Sequence, residues 1–540
     1  MTFRLTAVFK KGFSSFSPLR NGFILFYLIL PSFFSYSQAE EVSSKKLNSF
    51  RFRMQGDPET LDWNRAHTLV EAYILMNIME GLVTYNSVLK PVPALAESWT
   101  LSADKKTYTF HLRAGVRWSD GVPLKAKDFV YSWKRLLSPV TAAPYAYFLY
   151  DIEGAQEYGS GKIKDFEKVG VKAFDDSTLV VKLANPVANW ISMLGFWVTF
   201  PVRQDIIEKY GDGWDSPGRM VNLGPFSLES IDHASKVVLK ANSNYYGSRG
   251  NIEQIIAQIL SDDQTALNLY QKGELDFLAG IASGDLKKFK KRSDLKSFAH
   301  LKTNFLGFVT TKYPSSSLKL RRAIAMAIDK TKFLELLSGN QKPAQSFVPP
   351  GLMGYSKSMG LPFFPAKARM ELSGSGIDTS VPLKLEYLLP DWDKAQTVAK
   401  FIQQELKKNL GIDVILKAYE NKTFRTLLDL YSFPVFDYSW TADYPDPYNF
   451  LSVFLGNSGN SQTGWKNGEY DKLIQTARIT ASPSLREQLY LKAQKILLED
   501  EVVIIPLYYE PNLVLVQSRV KGFELNPLDY FYLRNVNVVP

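Results

Sequence analysis

Apolar and polar residues alternate along this chain in two distinct rhythms. Tyr108, Phe110 and Leu112 alternate with Thr107, Thr109 and His111, a period of two that predicts a half-buried strand. The Asp120-Gly121 pair predicts a turn. Phe129, Val130, Trp133, Leu136 and Leu137 then recur at helical spacing. Asp128 stands near the start of that stripe, where the helix dipole favours a negative charge. A second stripe, Ala395, Val398, Ala399, Ile402 and Leu406, ends in Lys407 and Lys408, with Gly411 as the stop signal. Ile412, Val414 and Leu416 alternate beyond it as a strand. Short strands and amphipathic helices mixed in this way predict α/β layers, with sheets covered by helices.

The start of the chain follows neither rhythm. Residues 1–39 carry Arg4, Lys10, Lys11 and Arg20 and no acid; residues 23–30 are wholly apolar, and small residues follow at Ser35, Ser37 and Ala39. That order predicts a secretory signal peptide cleaved near Ser37 or Ala39. The apolar run is well short of the roughly 20 residues a membrane-spanning helix needs. Removing the segment takes away four positive charges and lowers the formal charge from +10 to +6. The 540 residues, 45% hydrophobic and 22% charged, suffice for several domains around a large core.

The remaining basic residues are interleaved with acids, as in Asp285-Leu286-Lys287-Lys288-Phe289-Lys290-Lys291-Arg292-Ser293-Asp294. This reads as a solvated helix face, not the dense basic stripe of a nucleic-acid binder. The chain has no cysteine, which excludes thiol catalysis, disulfides, cysteine metal sites and a lipid attached through cysteine. The four histidines, His67, His111, His233 and His300, are far apart and form no H-E-x-x-H pattern. Gly159-Ser160-Gly161-Lys162 lacks the full phosphate-loop spacing, and no G-x-S-x-G elbow occurs. No catalytic residue, metal or cofactor is expected. Aromatic content is 14%, enough to fill a core and also line a ligand cleft.

A series of motifs changes the picture. Ala94-Leu95-Ala96-Glu97-Ser98-Trp99 is followed by Tyr108-Thr109-Phe110-His111-Leu112-Arg113, Trp118-Ser119-Asp120-Gly121 and Asp128-Phe129-Val130-Tyr131-Ser132-Trp133. In this order they resemble the signature of the family 5 extracellular solute-binding proteins, the oligopeptide-, dipeptide- and nickel-binding components of ABC importers. The likeness extends over Asp57-Pro58-Glu59-Thr60-Leu61-Asp62, Glu80-Gly81-Leu82, Gly170-Val171-Lys172-Ala173, Gly273-Glu274-Leu275-Asp276, residues 320–329 and Thr441-Ala442-Asp443-Tyr444-Pro445-Asp446-Pro447. It therefore spans nearly the whole mature chain. Pro144-Tyr145-Ala146 makes it most similar to the oligopeptide-binding branch.

The resemblance implies a type II periplasmic binding protein, two lobes closing on a cleft, with an extra third domain. Lobe I would comprise residues 40–80, 203–304 and 512–540, the extra domain 81–202, and the second lobe 305–511. It implies a soluble, monomeric periplasmic protein that binds oligopeptides and delivers them to permease subunits in the inner membrane, with no nucleic-acid partner. In such a cleft main-chain hydrogen bonds hold an extended peptide, and its enclosed ammonium needs a carboxylate partner.

The family's W-x-x-D aspartate falls on Asp443, in Trp440-Thr441-Ala442-Asp443. Read without the family, Asp443 is a turn or capping aspartate, as the nearby Tyr444-Pro445-Asp446-Pro447 favours; with the family it is the anchor for the ligand's ammonium. The resemblance also places His67, Thr68 and Leu69 against the peptide backbone, Tyr145 and Trp440 in pockets, and Thr441 on the main chain. Core packing is the other reading for Tyr145, Trp440 and Leu69. Where relatives meet the ligand's C-terminal carboxylate with a histidine and arginines, this chain has Asp393, Leu428 and Asp437, with Arg425 a candidate substitute; Glu510 replaces a pocket tyrosine. That departure implies a far end unwelcoming to a carboxylate. The alternative ligand is another amine-bearing solute: a murein peptide, a cationic compound or a metal chelate.

Overall fold

The computed structural model describes residues 48–281, 283–335, 337 and 339–539. The signal segment expected at residues 1–39 lies outside them. Both rhythms appear where the pattern places them. Thr107–Leu112 is a strand with Tyr108, Phe110 and Leu112 buried, and Ala126–Leu137 is a helix burying Phe129, Trp133, Leu136 and Leu137. The second stripe is the helix Asp393–Leu410, and Gly411 ends it at φ 72°, a left-handed conformation that suits glycine. The strand Asp413–Tyr419 follows and pairs in parallel with Lys384–Pro390.

Three larger sheets organise the described chain, which also holds two two-stranded ones. A four-stranded antiparallel sheet runs Ala96–Leu101, Thr107–Leu112, Thr178–Lys182, Val171–Ala173. A six-stranded sheet runs Lys342–Pro343, Ile504–Tyr509, Lys302–Phe308, Val435–Thr441, Lys384–Pro390, Asp413–Tyr419. A seven-stranded sheet gathers Leu295–Phe298, Asn512–Val516, Phe277–Leu278, Ser49–Met54, Gln254–Ile259, Lys236–Ala241 and Phe226–Asp232 in that order. Its strands come from three separate stretches of chain.

Several family motifs fasten these stretches together. Asp276, fully buried, forms ion pairs with Arg51 at 3.1 Å and Arg519 at 2.6 Å, joining an early strand, the middle of the chain and its end. Glu80 accepts from the Tyr245 hydroxyl at 2.7 Å and from Arg534 Nη1 at 2.8 Å. Gly81 has no room for a side chain: a Cβ there would sit 2.7 Å from the Leu194 carbonyl oxygen. His111 is exposed, on the polar side of its strand. Among the described residues no helix is long and apolar enough to cross a membrane.

Candidate functional site

The strand Val435–Thr441 lies inside the six-stranded sheet, antiparallel to Lys302–Phe308 on one side and parallel to Lys384–Pro390 on the other. Thr441 stands opposite Lys302 and Trp440 opposite Thr303. The chain then leaves the sheet through two aspartates with different tasks. Asp446 caps the helix Pro447–Leu451, accepting from the Tyr448 N–H at 2.8 Å, and is ion-paired with buried Arg486 at 2.6 Å. With the cap supplied by Asp446, Asp443 is free for another role.

Asp443 is half-buried. Its Oδ2 accepts from Asn449 Nδ2 at 3.1 Å, and the Tyr145 hydroxyl also donates to its carboxylate. Asn449 is itself fixed, its Oδ1 accepting from Trp440 Nε1 at 2.9 Å and the Asp443 N–H at 3.1 Å. Burial pushes the Asp443 carboxyl up to about 6, against those two hydrogen bonds. Among the described residues no lysine, arginine or histidine forms an ion pair with it. Enclosing a carboxylate without a cation is costly, and the raised carboxyl reflects that cost.

The Tyr145 ring packs against Phe148 at 5.4 Å and Phe196 at 5.2 Å, while its hydroxyl reaches Asp443. Burial first, then the Asp443 charge, push the Tyr145 and Tyr147 hydroxyls far above the ordinary phenol range, so both remain donors. A cavity of about 1000 Å³ opens beside this group, with Trp440, Asn449, Tyr147, Tyr444 and the ion pair Asp151–Arg478 in its walls.

The other expected residues separate into groups. Thr68 caps the helix Leu69–Ile78: its N–H donates to Glu71 Oε2 at 2.9 Å, and its hydroxyl is also on Glu71. His67 and Leu69 beside it are exposed. No hydrogen bond joins these three to Asp443. Arg425 lies over the Tyr438 ring at 5.2 Å and donates to its hydroxyl. Asp393 is exposed in the first turn of its helix, where a negative charge suits the dipole; it joins no cluster.

Glu510 requires a correction. It is not a free acid that repels carboxylates. Lys302 Nζ sits 3.1 Å from Oε1 and Lys394 Nζ 2.6 Å from Oε2. Burial works to raise the Glu510 carboxyl, but the two lysines more than offset it and hold it well below the usual carboxylate range. Asp437 lies within electrostatic reach of both lysines, and Asp529 of Lys302. Burial pushes each up to about 7, against the pull of Lys302. His300 is kept neutral by burial and then by Lys302, which lower it to about 3. The sequence reading missed Lys302, Lys394, Asp529 and Asn449, because no local pattern marks them. Among the described residues no group of histidine, aspartate and glutamate could hold a metal ion.

The model of the bacterial extracellular solute-binding proteins, family 5, matches residues 90–462. The chain belongs to this family. It is 32% identical over 501 residues to the probable deoxycholate-binding periplasmic protein YgiS of Escherichia coli, covering 91% of this chain and 93% of the relative. It is also 32% identical to the periplasmic oligopeptide-binding protein OppA of Salmonella typhimurium, covering 89% and 91%. The solved structure of the Escherichia coli murein tripeptide binding protein MppA superposes with a TM-score of 0.81 at 29% identity, over 92% of this chain and 99% of that one. The family 5 chain thus has the type II binding-protein fold with its extra domain, the third sheet being additional to the two large ones.

Proposed function

We propose that this protein captures peptides between its two large sheets and hands them to the permease of an ABC importer without changing them. The observation that carries the reading is Asp443: an enclosed carboxylate, oriented by Tyr145 and Asn449, with no cation of its own. A free α-ammonium supplies the missing charge, and main-chain bonding along residues 437–441, past the strand's pairing with Lys384–Pro390, would leave side chains of varied kind in wet pockets. The relatives' names, an oligopeptide-binding and a murein tripeptide binding protein, support a peptide ligand. A murein peptide or another amine-bearing solute is the second reading, and it meets Asp443 in the same way. A bile acid, the ligand in the name of one relative, has no ammonium and would leave Asp443 unpaired.

In this reading residues 40–80, 203–304 and 512–540 make one lobe, 305–511 the other and 81–202 the extra domain, and the lobes close over the ligand by hinge motion. Residues 1–39 direct export to the periplasm and are removed. Mass spectrometry of ligand carried through purification, followed by calorimetry with that compound, tests the reading. Stoichiometric binding of an intact peptide is expected. A ligand without an amine, or sustained cleavage by the pure protein that a cleft mutation abolishes, would overturn it.

A further inference from the structure

A short stretch of the extra domain, residues 145–151, faces the second lobe with three side chains. The Tyr145 hydroxyl donates to Asp443, the Phe148 ring stands edge-on to Tyr444 at 5.6 Å, and Asp151 is ion-paired with Arg478 at 2.6 Å. That pair is largely enclosed, with 9% of the Asp151 side chain and 20% of the Arg478 side chain exposed. Each partner is anchored on its own side. Arg478 donates to the Tyr448 hydroxyl at 3.0 Å and lies 4.5 Å from the centre of that ring. The Ala184 N–H donates to the Asp151 carbonyl at 2.9 Å, and Ile152 bridges to Leu183.

Beside this pair the contact is hollow. The cavity of about 1000 Å³ lies between the same two bodies, with Glu153 and Asn185 on one wall and Ser452 and Gln475 on the other. The extra domain is tied more closely to the first lobe. Arg135 Nη1 donates to Asp62 at 2.8 Å, Asn64 Nδ2 to the Val198 carbonyl at 3.1 Å and Trp197 Nε1 to the Ala66 carbonyl at 3.0 Å. The backbone passes between the two large sheets at residues 299–301 and 510–511. Motion about those crossings carries the extra domain with the first lobe and opens or closes the hollow face where Asp151 meets Arg478. An interface that is neither large nor apolar allows such motion.

We propose that Asp151 and Arg478 form a clasp between the extra domain and the second lobe, made on closure and undone on opening, which positions Tyr145 on Asp443. In the open protein both charges return to water. In the closed one their attraction is offset by the cost of enclosing them. This near balance divides the empty protein between open and closed forms, and a ligand that binds the closed form tips it. Both are positioning residues, acting through the stretch that ends in Asp151 and begins with Tyr145. The clasp rests on the lobes and hinge motion proposed above, and not on the ligand being a peptide.

The absence of cysteine allows two spin labels to be placed, at Lys172→Cys on the extra domain and Lys472→Cys on the helix Gly468–Ile479 that carries Arg478, both exposed. Their separation is measured by double electron–electron resonance on the full mature protein, with and without trialanine, in the parent and in Asp151→Asn. Without peptide the variant should shift to longer separations, because its closed form leaves Arg478 enclosed without a partner. Its affinity for trialanine, read by calorimetry, should fall roughly ten- to hundredfold. Adding Arg478→Gln removes the stranded charge and should recover part of that loss. The unfolding midpoint of the empty variant should barely move, since only the closed share of the folded protein loses the pair. Identical separations in parent and variant overturn the clasp, and a lowered midpoint would then assign the pair to permanent packing. If trialanine does not bind the parent, the peptide reading fails, and the separations in the empty protein still decide the clasp.

Discussion

Asp443→Asn should weaken ligand binding and at the same time stabilise the empty protein. The carboxyl is raised from 3.8 to about 6 in the folded chain. A raised acid binds its proton more tightly folded than unfolded, so its cost is absent at low pH and grows as pH rises from about 4 to about 6. Above that the full penalty applies: about two pKa units, at most about 3 kcal/mol. Asparagine carries no charge, and its side-chain oxygen can still accept from Asn449 and Tyr145. The empty variant should therefore be more stable than the parent at pH 7 and equal to it near pH 4. Binding should move the opposite way. A charge-assisted bond contributes about 1.5–3 kcal/mol, and leaving the ligand's ammonium buried without its partner can cost about 3–5 kcal/mol. The loss is roughly a hundredfold or more in affinity, while N-acetylation of the peptide should cost the parent about as much and the variant little. The assay is urea unfolding of ligand-free protein at both pH values, with calorimetry on the two peptide forms. A variant that binds as tightly as the parent, or that is no more stable when empty at pH 7, would refute the argument that this carboxylate is held ionised for a cation.

Three further outcomes follow from the same structure. Peptide affinity should fall about tenfold from pH 7 to pH 5, as the Asp443 carboxyl takes up its proton below about 6, and Asp443→Asn should lose that fall, keeping only what Asp437 and Asp529, each raised to about 7, contribute; titration calorimetry across pH checks both. Arg486→Met leaves Asp446 buried without its 2.6 Å partner and should destabilise the protein by about 3–5 kcal/mol, read from the denaturant midpoint. N-terminal sequencing of protein taken from the native envelope should begin after residue 37 or 39; a retained Met1 would count against export by a cleaved signal.

How far the sequence reaches depends on distance along the chain. The strand of Tyr108, Phe110 and Leu112 and the helix closed by Gly411 are legible because each is decided by neighbours a few residues away. The division of labour between Asp443 and Asp446 is not, since both sit in one turn-like stretch. Only the hydrogen bond from the Tyr448 N–H shows which of them caps. The Glu510 cluster was misread for a related reason. Its lysines lie 116 or more residues away in sequence, and periodicity says nothing about charges that meet only after the strands are assembled. Asp393 reads as a site residue by position alone, and the structure leaves it as an exposed acid favoured by its helix dipole.

The ion pairs on Asp276 also constrain how this chain can be made. Arg519 donates to the carbonyl of Ser49 as well as to Asp276, and Asn512–Val516 pairs with both Phe277–Leu278 and Leu295–Phe298. The seven-stranded sheet cannot be completed until nearly the last residues are available, however early its first strand emerges. Contacts this remote slow folding, and the sheet edges that receive Asn512–Val516 stay unpaired until that strand arrives. A chain ending before residue 512 would expose that edge permanently and be prone to pairing with other chains.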